Sequence, residues 1–121
     1  MTALLALLAL ALPVGAHPAP VATTVGLGLH EWRIGVYRAS VPAGRVRLKM
    51  TNFGEDAHNL QVVGPYGYRS RVSADVLPGG GRLTLSVVLR RPGTYRLLCV
   101  KPEHLRLGMR ATLRVTRARR R

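Results

Sequence analysis

The chain has 121 residues, with 19 Lys or Arg against 5 Asp or Glu and a formal net charge of +14. Its single Cys excludes a disulfide framework, a zinc site built on Cys-x-x-Cys and a dinuclear metal-thiolate centre. A hydrophobic content of 47% is sufficient for the core of one domain of ordinary size. The composition therefore predicts one folded domain.

The amino terminus has the pattern of an export signal. An unbroken Ala/Leu run from Ala3 to Leu12 is followed by small residues that end at Ala16, as in a hydrophobic region with a cleavage site. The run is too short to span a bilayer. We predict a signal peptide at residues 1–16, an extended linker at residues 17–24, and export to the periplasm, the cell surface or the medium. The alternative is a buried helix.

The remaining residues alternate between apolar and polar types, as half-buried β-strands do. Residues 45–50 place Val, Leu and Met on one side and cations on the other, and similar alternation recurs in segments 82–90, 95–100 and 109–116. Turn-forming Gly and Pro residues separate these segments. We predict that residues 25–116 form an all-β domain, either a sandwich or a barrel.

The positive charge is carried by 17 Arg and 2 Lys, a composition that raises the question of nucleic-acid binding. Most of the arginines occupy the polar phase of a strand, where their stems cover the sheet and their heads stay hydrated. Aromatic residues, which a nucleic-acid groove uses for stacking, are few. We therefore predict no nucleic-acid partner. The basic tail at residues 117–121 is interpreted as a solvated end in preference to a docking element.

Four residues with metal-ligating side chains form a candidate site. Cys99, His104 and Met109 follow the spacing Cys-x4-His-x4-Met around one loop. The strand phase predicts that Cys99 and Met109 point into the domain near the same end. His58 lies in phase with the apolar Leu60, so its imidazole also points inward and needs a partner there.

This donor set favours copper. One soft thiolate, two imidazoles and a weak thioether suit copper in both of its oxidation states, whereas calcium or magnesium would require oxygen ligands. Each residue also has a structural interpretation, because a lone Cys or Met is usually a core residue and a lone His is usually satisfied by hydrogen bonds. Their joint placement favours a site for one copper ion that cycles between Cu(I) and Cu(II).

Residues 31–116 resemble the cupredoxins, the small blue copper proteins. The segment Thr51 to Asn59 is similar to the family pattern Asn-x-Gly-x-x-x-His, and the segment Pro92 to Cys99 leads into the Cys-His-Met loop. The spacing of that loop is like the spacing in rusticyanins, auracyanins and plant phytocyanins, and the likeness to plastocyanin is looser. The resemblance implies a Greek-key β-sandwich with a type 1 copper site at one end.

Carried over by position, the resemblance implies four copper ligands, namely His58, Cys99, His104 and Met109. Asn59 corresponds to the family residue that ties the two ligand loops together by a hydrogen bond. His104 would present an imidazole edge at the protein surface as the route for the electron. Trp32 is expected to serve in core or edge packing rather than as an electron relay.

The implied function is the transfer of one electron by an exported protein that is not an enzyme. Oxidase and nitrite reductase chemistry would need further His-rich copper centres, which four histidines cannot supply. Charged residues flank the ligand loop, and Glu103 stands where the family often has Gly. These residues predict a redox partner that is acidic or membrane-associated; they are Lys101, Glu103, Arg106 and Arg110. The carrier is expected to be a monomer.

Two other functions remain open at this point. A copper storage or delivery protein would use the same ligands, and His17 at a mature amino terminus could add a second copper site. A cupredoxin-fold interaction module would hold no metal.

Overall fold

The structure is a computed structural model, and it describes residues 9–15 and 21–119. Residues 9–15 belong to neither a helix nor a strand. The predicted signal peptide, linker and basic tail therefore lie partly outside the described residues, and His17 lies wholly outside them. Within the described ranges, no helix has the length and apolar character needed to cross a membrane.

The described residues form eight strands and one turn of 3₁₀ helix at Pro65–Gly67. The strands are β1 (Thr23–His30), β2 (Arg33–Val36), β3 (Ser40–Pro42), β4 (Gly44–Asn52), β5 (Gln61–Val63), β6 (Arg82–Leu89), β7 (Gly93–Leu98) and β8 (Arg110–Thr116).

Two four-stranded sheets make up the fold. One sheet has the strand order β2-β1-β4-β6 and the other has the order β3-β8-β7-β5. The pairs β1/β4 and β3/β8 are parallel, and the other pairs are antiparallel. Apolar side chains from both sheets form one core. This arrangement confirms the predicted all-β sandwich.

Strand phase determines which side chains enter the core. On β4, Val46, Leu48 and Met50 are at most 1% exposed, whereas the intervening cations are exposed. Each of these three residues lies beside an apolar residue of β6, as in the pair Leu48 and Leu85. Burial of these side chains stabilises the domain by about 25 cal/mol for each Å² of apolar surface removed from water.

The alternation of apolar and polar residues is not clear from the sequence in four of the strands, namely β1, β2, β3 and β5. In β1 the residues between the buried Val25, Leu27 and Leu29 include glycines rather than polar residues. The ring of Tyr37 lies against Gly26 and Gly28, where a Cβ atom would collide with it. The glycines of β1 therefore make room for an aromatic ring on the outer face of the sheet.

Asn52, the last residue of β4, holds the loop that leads to His58 in place through hydrogen bonds of its side chain. Its buried side-chain amide donates hydrogen bonds to the backbone oxygens of Asp56 (2.7 Å) and Val76 (2.9 Å). Its Oδ1 accepts a hydrogen bond from the Gly54 N–H at 2.8 Å. One side chain thus holds the loop after β4 against the segment that passes beside His58.

We predict that Asn52→Ala lowers the free energy of unfolding by about 1–3 kcal/mol, because it leaves buried backbone groups without their partners. Urea denaturation measures the loss. The control is Thr84→Ala on β6, an exposed position where the expected change is about 0.5 kcal/mol or less. Equal losses for the two variants would contradict this role for Asn52.

Candidate metal centre

Three of the predicted ligands meet at one end of the sandwich. Ligand atoms of His58, Cys99 and His104 all lie within 4.8 Å of one another. The two Nδ1 atoms are 3.2 Å apart, and Cys99 Sγ is 3.5 Å from His104 Nδ1. His58 and Cys99 are fully buried and His104 is 9% exposed. Segments far apart in the sequence therefore bring a thiol and two imidazoles together away from water.

His58 is held in place by a short antiparallel bridge. Its backbone N–H donates to the Val76 oxygen at 3.2 Å, and the Val76 N–H donates to the His58 oxygen at 2.7 Å. Leu60 and Val62 follow in the same phase and are buried with it. The inward direction predicted for this imidazole agrees with the observed burial.

The Cys-His-Met loop closes on itself through backbone hydrogen bonds. The Cys99 N–H donates to the Met109 oxygen and the Met109 N–H donates to the His104 oxygen, both at 3.1 Å. Within the loop, the Leu107 N–H donates to the Glu103 oxygen at 2.9 Å. Met109, directly before β8, is fully buried. The backbone therefore fixes the positions from which all three side chains of the motif project.

Asn59 joins the two halves of the site. Its Oδ1 accepts a hydrogen bond of 2.9 Å from the backbone N–H of Val100, which lies 41 residues further along the chain. Because Asn59 follows His58 directly and Val100 follows Cys99 directly, this bond ties one ligand segment to the other. Such outer contacts orient metal ligands.

Glu31, which the sequence analysis did not single out, contacts the remote nitrogen of His58. Its Oε1 lies 3.0 Å from His58 Nε2. Backbone N–H groups of Glu55 and Asp56 donate to the same carboxylate at 3.0 Å and 2.8 Å. Glu31 is the first acidic residue in the sequence, but no short-range spacing connects it to His58, from which it is separated by 27 positions.

The electrostatics of this pair define the donor atom of His58. Backbone hydrogen bonds, first that from Asp56, lower the pKa of Glu31, so the carboxylate is charged. Burial lowers the pKa of His58, with an opposing effect from Glu31, so the imidazole is neutral near pH 7. Since a carboxylate only accepts hydrogen bonds, Nε2 of His58 carries the hydrogen. Nδ1 is then the lone-pair donor that faces Cys99 and His104.

Trp32 lies against the second imidazole. Its ring packs on that of His104 edge-on, with centroids 4.7 Å apart and planes at 66°. Trp32 also packs against the hydrophobic core. Packing at this position is expected from the sequence, but no local pattern indicates that the ring contacts a candidate ligand.

Carboxylates offset much of the positive charge near the site. Lys101 pairs with Asp75 at 2.8 Å, and Arg106 pairs with Glu103. Arg110 donates to the Leu105 backbone oxygen at 3.2 Å. All five acidic residues of the chain lie in segments beside the candidate ligands, namely Glu31, Glu55, Asp56, Asp75 and Glu103. The ligand loop is therefore less cationic than its sequence suggests.

No family model matches this sequence, and no curated protein is similar to it at a significant level. Solved structures do match. Auracyanin from Roseiflexus castenholzii is 20% identical, with 82% of this chain and 99% of that chain covered and a TM-score of 0.59. Auracyanin B is also 20% identical, with coverage of 84% and 93% and a TM-score of 0.62.

The copper protein rusticyanin from Thiobacillus ferrooxidans is 16% identical, with 81% of this chain and 79% of that chain covered and a TM-score of 0.55. Auracyanin A from Chloroflexus aurantiacus, described as a "blue" copper protein, is similar at 18% identity and a TM-score of 0.59. At these identities the likeness concerns the fold. The chain therefore has the cupredoxin fold, as its sequence motifs imply.

Proposed function

We propose that this protein is an electron carrier with one type 1 copper ion held by His58, Cys99, His104 and Met109. The observation that supports this most directly is the buried cluster in which one thiol and two imidazole nitrogens lie within 4.8 Å of one another. Copper bound there would supply the one-electron couple between Cu(I) and Cu(II).

The donor chemistry fits copper. Two imidazoles and a thiolate in a roughly trigonal arrangement, with a thioether as a weak further ligand, are the donors of a blue copper site. Among the described residues, the three-residue cluster contains no carboxylate, and Glu31 contacts the outer nitrogen of His58 instead of the donor side. An oxygen-seeking cation such as calcium would find few ligands here.

The loop backbone supports a carrier more than a delivery protein. The hydrogen bonds that join Cys99, His104 and Met109 hold the donors in place whichever oxidation state they bind. Little rearrangement would then accompany the gain or loss of an electron. Burial of His58 and Cys99 opposes the ligand exchange that copper delivery requires.

His104 is the proposed route for the electron. It is 9% exposed, and its Nε2 lies 3.7 Å from the carboxylate of Asp56, whose side chain is 50% exposed. An electron entering through this imidazole would reach the copper-binding donor atom through a single ring. We propose that a redox protein docks over this edge, near Arg106 and Arg110, and that nucleic acid is not a partner.

The proposed cellular setting follows from the amino-terminal pattern. Residues 1–16 would direct export, so the carrier would act in the periplasm, at the cell surface or in the medium. We propose separately that the carrier is a monomer. Outward-facing arginines on the sheets would then serve solubility and long-range attraction of anionic partners.

The central prediction concerns colour. Copper-loaded protein should have an intense visible band from thiolate-to-copper charge transfer, and the band should bleach reversibly on reduction. Cys99→Ala should abolish it, because the thiolate is the donor of the transition. Visible absorption during a titration with Cu(II) measures both results.

The matched control is His30→Ala, since the His30 ring stacks on Phe53 with centroids 5.5 Å apart and is not in the cluster. It should keep the full band, whereas His104→Ala should lose it. A wild-type protein that binds copper without the band would contradict the type 1 assignment. If the protein lost its copper each time it gained or lost an electron, copper delivery would be favoured over electron transfer as its function.

The effect of salt on the rate of electron transfer tests whether the positive charge of the protein attracts anionic partners. With a net charge of +14, reduction by hexacyanoferrate(II) should slow as salt rises, and reduction by hexaammineruthenium(II) should accelerate. Stopped-flow bleaching of the band measures both rates. Arg110→Gln, beside the loop, should slow the anionic reagent more than Arg45→Gln on the outer face of β4. Rates that do not respond to salt would contradict this account of docking.

A further inference from the structure

We propose that Glu31 is a positioning residue that lowers the copper reduction potential through its hydrogen bond with His58. This inference rests on the proposed function, because it concerns the same copper site. It assigns a role to a carboxylate that is not a ligand and belongs to the turn between β1 and β2.

The carboxylate of Glu31 is fixed rather than free at the surface. It accepts hydrogen bonds from the backbone N–H groups of Glu55 and Asp56 while its Oε1 faces His58 Nε2 at 3.0 Å. Its side chain is 26% exposed. Three partners thus hold the negative charge against the far edge of a buried imidazole.

The loop after β4 leaves space for the carboxylate of Glu31. A Cβ atom at Gly54 would collide with both carboxylate oxygens of Glu31. The Gly54 N–H is in turn bound by Asn52 Oδ1 at 2.8 Å. The absence of a side chain at Gly54 and the anchoring by Asn52 therefore create the space in which Glu31 meets His58.

The same turn also orients the second imidazole. Trp32 follows Glu31 directly, and its ring packs edge-on against His104 at a centroid distance of 4.7 Å. The turn between β1 and β2 therefore contacts both candidate imidazole ligands, one through a charged hydrogen bond and the other through an aromatic ring.

The physical effect on copper follows from charge. A carboxylate that accepts the N–H of a ligating imidazole raises the basicity of that ligand. Its negative charge stabilises Cu(II) more than Cu(I), and the partial burial of the pair limits screening by water. The carboxylate thus favours the oxidised protein, and a neutral partner in its place would favour the reduced protein.

The test is Glu31→Gln, which keeps an oxygen that can accept hydrogen bonds but removes the charge. We expect the potential to rise, by about 59 mV for every tenfold loss in the preference for Cu(II) over Cu(I). A redox titration followed at the visible band gives the value. The matched control is Glu55→Gln, which removes the same charge from the same loop and leaves the backbone amide intact; its potential should change much less.

Equal shifts in the two variants would overturn the inference, since a general charge effect would then explain both. An unchanged potential in folded Glu31→Gln would also overturn it. If that variant does not fold, pulsed EPR of the unsubstituted copper-loaded protein decides. The remote nitrogens of the two imidazoles should have different quadrupole couplings, and equal couplings would contradict the inference. Absence of the visible band in the unsubstituted protein would instead overturn the proposed function itself.

Discussion

The burial of two imidazoles and a thiol at one end of an apolar core is the constraint on which the rest of this structure depends. Buried polar groups are costly unless they are paired, and among the described residues no buried side-chain nitrogen or oxygen lacks a hydrogen-bond partner. Glu31 pairs with the outer edge of His58, and the inner edges of His58 and His104 face each other at 3.2 Å. The backbone around the site then holds these side chains in their relative positions.

Much of the fold and of the donor set could be predicted from local sequence. Alternation along β4 and β6 gives the buried face directly, because side chains of a strand point to opposite sides in turn. The motif from Cys99 to Met109 spans one loop, so its spacing alone predicts that Cys99 and His104 lie near each other, as they do. His58 could be added because its phase relative to Leu60 predicts an inward ring.

Interactions between segments that are distant in the sequence could not be predicted in this way. Glu31 reaches His58 only because β1 pairs in parallel with β4, which brings the turn after β1 beside the loop after β4. The pairing of Lys101 with Asp75 likewise joins segments 26 residues apart, and it offsets charge that the sequence of the loop presents as free. Short strands such as β3 contain too few residues to show the alternation of apolar and polar side chains.

A cupredoxin fold, a buried Cys, two His and an outer layer that includes Asn59 and Glu31 together form one proposed copper centre. X-ray absorption spectroscopy at the copper edge of the loaded protein tests this claim most directly. We predict one thiolate sulfur and two imidazole nitrogens as the close ligands of copper. A copper environment of nitrogen and oxygen without a close sulfur would contradict it.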